Sequence, residues 1–275
     1  MGEVRAAWVA QMRARNLRES TIEARVGILS RLQRHIGRHP LYATTDELVS
    51  YLERVGPNGR SKGAAWRGIE ISHLRTFYRW AQLEGLIDHD PTIRLVVPKR
   101  RRRLPRPIPS SDLAVALAGA PDPIRAMLHL AAYGGLRACE IAPLRGEDLM
   151  DTEPAMLIVQ ESKGGDTRAV PVGPALFPIV SELPRVGWWF PRSDGSGPLP
   201  RYMISRRCNA YLHGLGIPHT LHSLRHWFAT ETYRATEDVF LTMELMGHRD
   251  PATTALYTKV ANHRGAAAVA KLPTF

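Results

Sequence analysis

The sequence contains few cysteines and no long hydrophobic run. Only 2 cysteines occur among 275 residues, which excludes a disulfide framework and a cysteine-rich zinc site and favours a reducing, intracellular compartment. No run of about 18 apolar residues is present, so we expect no transmembrane helix. The charged start of the chain lacks the apolar core of a signal peptide. These absences predict a cytoplasmic protein.

Acidic residues are scarce relative to basic ones. The chain has 37 lysines and arginines against 26 aspartates and glutamates, for a formal net charge of +11. Such an excess favours a polyanionic partner, either nucleic acid or an anionic membrane surface. The hydrophobic fraction of 44% is ordinary for a globular protein, and the length suits one large domain or two smaller ones.

A basic, proline-rich segment divides the chain at residues 96–109. It contains five consecutive cations, which are Lys99, Arg100, Arg101, Arg102 and Arg103. Its prolines interrupt helices and interior strands, and its like charges repel, so we expect an extended linker. The linker is either a solvated tether between domains or a tether that also follows a DNA backbone and displaces its condensed counterions.

Residues 1–95 are predicted to form a small bundle of about four helices. Segments beginning at Ser20 and Thr44 match the capping-box pattern. A longer helix is predicted over residues 61–84 because an apolar stripe repeats at helical spacing there. Arg75 and Arg79 lie opposite that stripe and are candidates for phosphate contact.

Residues 110–275 show a mixed pattern in which helix dominates. Residues 156–159 and 168–172 predict a β-hairpin joined by a glycine-containing turn. Helices are predicted over residues 111–118, 123–132, 174–183, 201–212, 220–233 and 237–246. The expected fold is therefore mainly helical, with a small β-sheet.

Four segments of the second half carry residues suited to chemistry. They contain Arg137 and Glu140, then Lys163, then His222 and Arg225, and finally His248 and Tyr257. Three of these segments also have an ordinary structural interpretation: the Arg–Glu pair as an ion pair, the turn lysine as a solvated side chain, and the tyrosine as core or surface. His222 and His226 have metal-ligand spacing but lack the carboxylate of a zinc-binding helix.

Taken in order, these side chains suit phosphoryl transfer without a metal ion. Two guanidinium groups can neutralise the nonbridging oxygens of a phosphate in its transition state. A phenol is a competent nucleophile, and a lysine on a loop can protonate a leaving alkoxide.

The same segments resemble the signature boxes of the tyrosine recombinase family, which includes phage integrases and Xer-type and Cre-like recombinases. The resemblance rests on residues 134–141, 222–226 and 247–248 and on Tyr257. It implies a helical core-binding domain at residues 1–95, the linker, and an α+β catalytic domain at residues 110–275 with a C-terminal tail helix. Together these domains would form a C-shaped clamp on DNA.

The resemblance also implies a role for each side chain. Tyr257 would attack the scissile phosphate and form a 3′-phosphotyrosyl bond. Arg137 and Arg225 would bind that phosphate, and Glu140 would hold the Arg137 region in place.

Three further roles follow from the same resemblance. Lys163 would be the general acid for the leaving 5′ oxygen. His222 would accept the proton of the tyrosine, and His248 would donate a hydrogen bond to a phosphate oxygen.

The resemblance implies double-stranded DNA with a specific core site as the partner and no cofactor, metal or ATP. A homotetramer would act on DNA through a Holliday junction, whereas the free protein would be a monomer or weak oligomer. We expect a compact form of the family without an arm-binding domain. It would act in the bacterial cytoplasm, at the nucleoid, and would have no membrane partner. The resemblance also allows an accessory directionality factor as a partner. Two alternatives are a type IB topoisomerase and a catalytically silent DNA-binding protein.

Overall fold

The chain folds into two compact units. The computed structural model describes residues 2–56, 59, 63–98, 104–160 and 167–247. The division between the units falls after Arg102, within the segment predicted as a linker, and residues 99–103 lie outside the described ranges. Within those ranges, no helix is both long enough and apolar enough to cross a membrane.

The first unit contains four α-helices among its described residues, as the sequence predicted. They are α1 (Gly2–Ala14), α2 (Glu19–Ile36), α3 (Thr45–Glu53) and α4 (Ala64–Leu83). The apolar stripe of α4 is buried at Leu74, Phe77 and Ala81, and Trp66 is half-buried. Phe77 packs edge-on against Trp8 of α1 with ring centroids 5.0 Å apart, so aromatic contacts form the centre of this core.

One of the two predicted capping boxes is confirmed and the other is wrong. The hydroxyl of Thr44 accepts a hydrogen bond from the backbone N–H of Glu47, and the Glu47 carboxylate accepts one from the backbone N–H of Thr44. By contrast, α2 begins at Glu19, so Ser20 lies inside the helix and is exposed. Glu19 pairs with Arg13 at 2.8 Å and suits the positive end of the helix dipole, which favours the earlier start.

The second unit confirms the mainly helical fold with a small sheet. Its elements are α5 (Ser110–Ala118), α6 (Ile124–Tyr133), α7 (Ala138–Ile141), β1 (Leu149–Met150), β2 (Met156–Gln160), β3 (Thr167–Pro171), α8 (Phe177–Ser181), α9 (Arg201–Gly214), α10 (Leu221–Thr236) and α11 (Val239–Met246). The helix predicted over residues 174–183 is shorter than expected. Pro178 favours the start of a helix and Pro184 disfavours its continuation, so one short turn remains.

The three strands form one antiparallel sheet in the order β1-β2-β3. The predicted hairpin is confirmed, with Leu157 opposite Val170 and Val159 opposite Arg168. Its connecting residues 161–166 lie outside the described ranges. The sequence did not predict β1, because two residues carry no periodicity.

Helix α6 is the centre of the second core. Six of its side chains are buried, which are Ala126, Met127, Leu128, Leu130, Ala131 and Ala132. It packs against α7, α9 and α10. This packing brings the loop after α6 close to the first turns of α7 and α10.

Candidate active site

Four of the predicted catalytic and supporting residues belong to the described part of the second unit. They are Arg137, Glu140, His222 and Arg225. The other three, Lys163, His248 and Tyr257, lie outside the described residues, so their placement stays a prediction.

The carboxylate of Glu140 binds three guanidinium groups. Arg137, just before α7, donates from Nη1 to Oε1 at 2.6 Å. Arg168 of β3 donates to both oxygens, at 3.1 and 3.0 Å. Arg225 of α10 donates to Oε2 at 3.4 Å. Because these arginines come from three elements, Glu140 joins the start of α7, the sheet and α10 at one point.

The loop before α7 admits the buried side chain of Arg225. Gly135 has a φ of +63°, and a Cβ atom built there would lie 2.5 Å from the ring of Phe228. The Gly135 carbonyl accepts a hydrogen bond from Nη1 of Arg225. A larger residue at this position would be strained and would push Phe228 away, which explains why glycine suits it.

The same three arginines bind the C-terminal end of α11. Each guanidinium donates to a different carbonyl: Arg168 to Leu245 at 3.2 Å, Arg225 to Met246, and Arg137 to Gly247 at 3.3 Å. Because a helix C-terminus carries partial negative charge, these contacts are favourable. Gly247 ends the helix with a φ of +58°, and His248 follows it in the sequence.

The electrostatics of the cluster keep Glu140 ionised. Burial alone would raise the pKa of Glu140, but the hydrogen bonds from Arg168, the charges of Arg225 and Arg168, and the backbone N–H of Arg137 lower that pKa to about 2. One carboxylate balances only one of three guanidinium charges. The cluster therefore has an excess of positive charge, which favours binding of an anion.

The three arginines differ in their access to solvent. The side chain of Arg137 is 31% exposed, whereas those of Arg168 and Arg225 are 9% and 1% exposed. Arg137 is thus the member of the cluster that faces solvent. Arg225 is buried beneath it and is held by the backbone carbonyls of Gly135 and Met246.

His222 lies one turn before Arg225 on α10. Its ring centroid is 4.3 Å from that of His226. Desolvation, followed by the charges of Arg225 and Arg137, lowers the pKa of His222. Desolvation, the charge of His222 and that of Arg225 lower the pKa of His226 to about 4. Both imidazoles are therefore neutral near pH 7, and a neutral imidazole can accept a proton. Among the described residues, no group of three potential metal ligands accompanies this pair.

Sequence reasoning assigned no role to Arg168, although the structure places it in the cluster. The alternation of core-facing and solvent-facing residues along β3 could have indicated this placement. Arg168 and Val170 share one face of β3, Val172 continues the same alternation just after the strand, and both valines are buried. An arginine on the core-facing side of a strand requires a buried partner, and that partner is Glu140.

The other candidate cations, Arg75 and Arg79, line a cavity of about 520 Å³ within the first unit. Arg15 and Arg25 line the same cavity, which lies among α1, α2 and α4. Arg75 donates to the carbonyl of Leu95 at 2.5 Å. The Nε atom of Arg25 is buried without a hydrogen-bond partner, and desolvation together with the charge of Arg15 lowers the pKa of Arg25. We call Arg15, Arg25, Arg75 and Arg79 the arginine pocket.

Comparison with known proteins identifies relatives of the chain. The model of the phage integrase family matches residues 113–264. The chain is 30% identical over 246 residues to tyrosine recombinase XerD of Rhizobium meliloti (strain 1021), covering 81% of this chain and 78% of the relative. It is 31% identical over 260 residues to tyrosine recombinase XerC of Azotobacter vinelandii (strain DJ / ATCC BAA-1303), covering 89% and 86%.

Solved structures share the fold. A lambda integrase dimer bound to a COC′ core site matches with a TM-score of 0.73 at 19% identity, covering 100% of this chain and 79% of that chain. A lambda integrase tetramer bound to a Holliday junction matches with a TM-score of 0.72 at 20% identity, covering 91% and 77%.

Replacing Glu140 by Gln should destabilise the second unit, because three guanidinium groups lose their shared carboxylate. Removing one partner of a buried ion pair costs about 3–5 kcal/mol. The pKa of Glu140 in the folded protein, about 2, is below the value of about 4.3 in an unfolded chain. The stabilisation is therefore complete above about pH 4.3 and is lost as the pH falls toward 2.

Urea titrations of the wild type and Glu140→Gln at pH 7 and pH 3 test this prediction. The difference in the free energy of unfolding should be largest at pH 7 and smaller at pH 3. Glu182→Gln is the matched control, since Glu182 forms an exposed pair with Arg125 at 2.7 Å, and its effect should stay below about 1 kcal/mol. An equal difference at both pH values would contradict the linkage.

Proposed function

Since the chain belongs to the phage integrase family and is a site-specific tyrosine recombinase, we propose that it cleaves and rejoins DNA through a 3′-phosphotyrosyl intermediate and a Holliday junction. The observation that carries this proposal is the cluster of three arginines around Glu140. Its excess positive charge and its solvent-facing Arg137 suit a phosphodiester whose negative charge increases in the transition state.

In the proposed cleavage step, the phenol oxygen of Tyr257 attacks the phosphorus atom. The bond from phosphorus to the 5′ oxygen breaks, and Lys163 gives that oxygen a proton. Arg137 and Arg225 bind the nonbridging oxygens, and His248 donates a further hydrogen bond. The products are a 3′-phosphotyrosine and a free 5′-hydroxyl group.

His222 is the proposed acceptor of the tyrosine proton. The lowered pKa of His222 supports this assignment, because an imidazole that is already protonated at neutral pH cannot act as a base. Rejoining reverses the step: a 5′-hydroxyl attacks the phosphotyrosine, and the phenol recovers a proton. The phosphotyrosine preserves the energy of the broken phosphodiester, so the cycle requires no ATP.

The first unit is the proposed core-binding domain. The arginine pocket supports this role, because Arg15, Arg25 and Arg79 form no ion pair with any described carboxylate and so retain their charge for an anion. Guanidinium groups bind phosphate through their planar donors. In this proposal the linker cations Lys99, Arg100, Arg101, Arg102 and Arg103 also lie along the DNA backbone, and residues 110–275 form the catalytic domain.

The proposed assembly is a tetramer on DNA. Lambda integrase, whose fold this chain shares, forms a tetramer on a Holliday junction and a dimer on a core site. We extend that assembly to this chain, with one active site for each of the four strands that are exchanged.

Tyr257→Phe should abolish covalent attachment and leave DNA binding nearly intact, because the substitution removes a single hydroxyl group. DNA fragments from either side of the protein's own gene, labelled on one strand, are incubated with each protein and separated on a denaturing gel. The wild type should retain label as a covalent adduct, and the variant should not.

An adduct formed equally by Tyr257→Phe would contradict the assignment of the nucleophile. A wild type that relaxes supercoiled DNA without ever exchanging strands between two duplexes would instead identify a topoisomerase-like enzyme.

Arg79→Gln should weaken DNA binding and reduce its dependence on salt. Each phosphate contact contributes about 0.9 to the slope of log K against log salt concentration, so loss of one contact should lower the slope by about 1. Arg13→Gln is the matched control, because Arg13 belongs to the same unit but is neutralised by Glu19 at 2.8 Å. Identical slopes for the two variants, measured by fluorescence anisotropy, would exclude the pocket as a phosphate site.

A further inference from the structure

We infer that Arg168 is a positioning residue: it neutralises Glu140, so that Arg137 and Arg225 keep their charge for the scissile phosphate. The inference rests on the proposed function and adds a residue that sequence reasoning left without a role. Arg168 would act on the charge of the phosphate-binding cluster and not on the proton that the general acid delivers.

The guanidinium of Arg168 makes a two-point contact with the carboxylate of Glu140. It donates to both carboxylate oxygens, at 3.1 and 3.0 Å. The side chain of Arg137 reaches one oxygen at 2.6 Å, and that of Arg225 reaches the other at 3.4 Å. A two-point contact between arginine and a carboxylate is the strongest arrangement available to this pair.

Burial separates the role of Arg168 from that of Arg137. Its side chain is 9% exposed, and its Nε atom donates to the carbonyl of Leu245 at 3.2 Å. All three of its nitrogen atoms are thus engaged by protein groups, two by Glu140 and one by α11. Arg137, with 31% of its side chain exposed, is the member that an anion reaches from solvent.

The charges of the cluster explain why neutralising Glu140 would strengthen the attraction of the cluster for a phosphate. With Arg168 present, one carboxylate faces three guanidinium groups. Without it, the same carboxylate faces two, and its negative charge lies next to the site where a phosphate would bind. Interactions between charges are stronger in a buried environment than in water, so the loss of one cation there weakens the attraction for a developing negative charge.

Arg168 also sets the distance between Glu140 and α11. The carbonyls of Leu245, Met246 and Gly247 bind Arg168, Arg225 and Arg137 in that order. Arg168 therefore makes the first of three consecutive contacts with the end of α11. The other two contacts orient Arg225 and Arg137.

The test compares Arg168→Gln and Arg168→Lys with the wild type on a DNA duplex that forms the wild-type adduct. We expect Arg168→Gln to slow adduct formation in a single turnover by about 10-fold to 100-fold, with the dissociation constant for DNA unchanged. Arg168→Lys keeps the charge but loses the planar two-point contact, so it should recover part of the rate.

Two modified substrates show how Arg168 acts. A methylphosphonate at the scissile position carries one negative charge fewer than a phosphodiester, so the difference between the wild type and Arg168→Gln should become smaller. A substrate with sulfur in place of the leaving 5′ oxygen needs no general acid, because a thiolate is a good leaving group. This sulfur substrate should leave the difference in place.

Recovery of Arg168→Gln on the sulfur substrate would overturn the inference, because it would show that Arg168 acts through the general acid. Equal rates for the wild type and Arg168→Gln would also overturn it. Failure of the wild type itself to form an adduct would instead refute the proposed function. If Arg168→Gln does not fold, as judged by thermal unfolding, the same two substrates are applied to Arg168→Lys.

The matched control is Arg185→Gln. Arg185 belongs to the same unit and pairs with Asp151 at 3.0 Å, but both side chains are exposed. Its rate on every substrate should equal that of the wild type. A loss equal to that of Arg168→Gln would overturn the inference, because it would show that any lost ion pair in the unit slows the reaction.

Discussion

Burying a carboxylate requires cations, and at Glu140 that requirement organises the second unit. A side chain with no solvent exposure cannot stay ionised unless charge and hydrogen bonds replace water. Three guanidinium groups meet this need, and each comes from a different element. The start of α7, the edge of the sheet and the N-terminal part of α10 are therefore held at fixed distances by one charged group.

The same constraint connects stability with the proposed chemistry. The arginines that keep Glu140 ionised also bind the last carbonyls of α11, so the orientation of that helix end depends on the cluster. The cluster keeps an excess of positive charge, and Arg137 is its member that faces solvent. The structural ion pairs of Glu140 and the proposed anion site therefore belong to one cluster. In this proposal Arg168 neutralises Glu140, and Arg137 and Arg225 keep their charge for the anion.

Local chemistry could be predicted from the sequence, and long-range contacts could not. The capping box at Thr44 and the pair of Arg137 with Glu140 involve residues three apart, so spacing alone predicts them. Ser20 shows the limit of this reasoning. The helix α2 begins before it, at Glu19, which pairs with Arg13 of α1. Arg168 and Glu140 are 28 residues apart, and only folding of the sheet against α7 brings them together. Arg225 was predicted from its resemblance to a family motif, since its partners at Gly135 and Met246 are distant in sequence.

The most direct test of the account is the single-turnover rate of adduct formation by Glu140→Asp. Aspartate keeps the negative charge, but its side chain is one methylene group shorter and cannot hold all three guanidinium groups in their present positions. The account predicts a rate about 10-fold to 100-fold below that of the wild type, with DNA affinity unchanged. A rate equal to that of the wild type would show that the geometry around Glu140 does not control the chemistry.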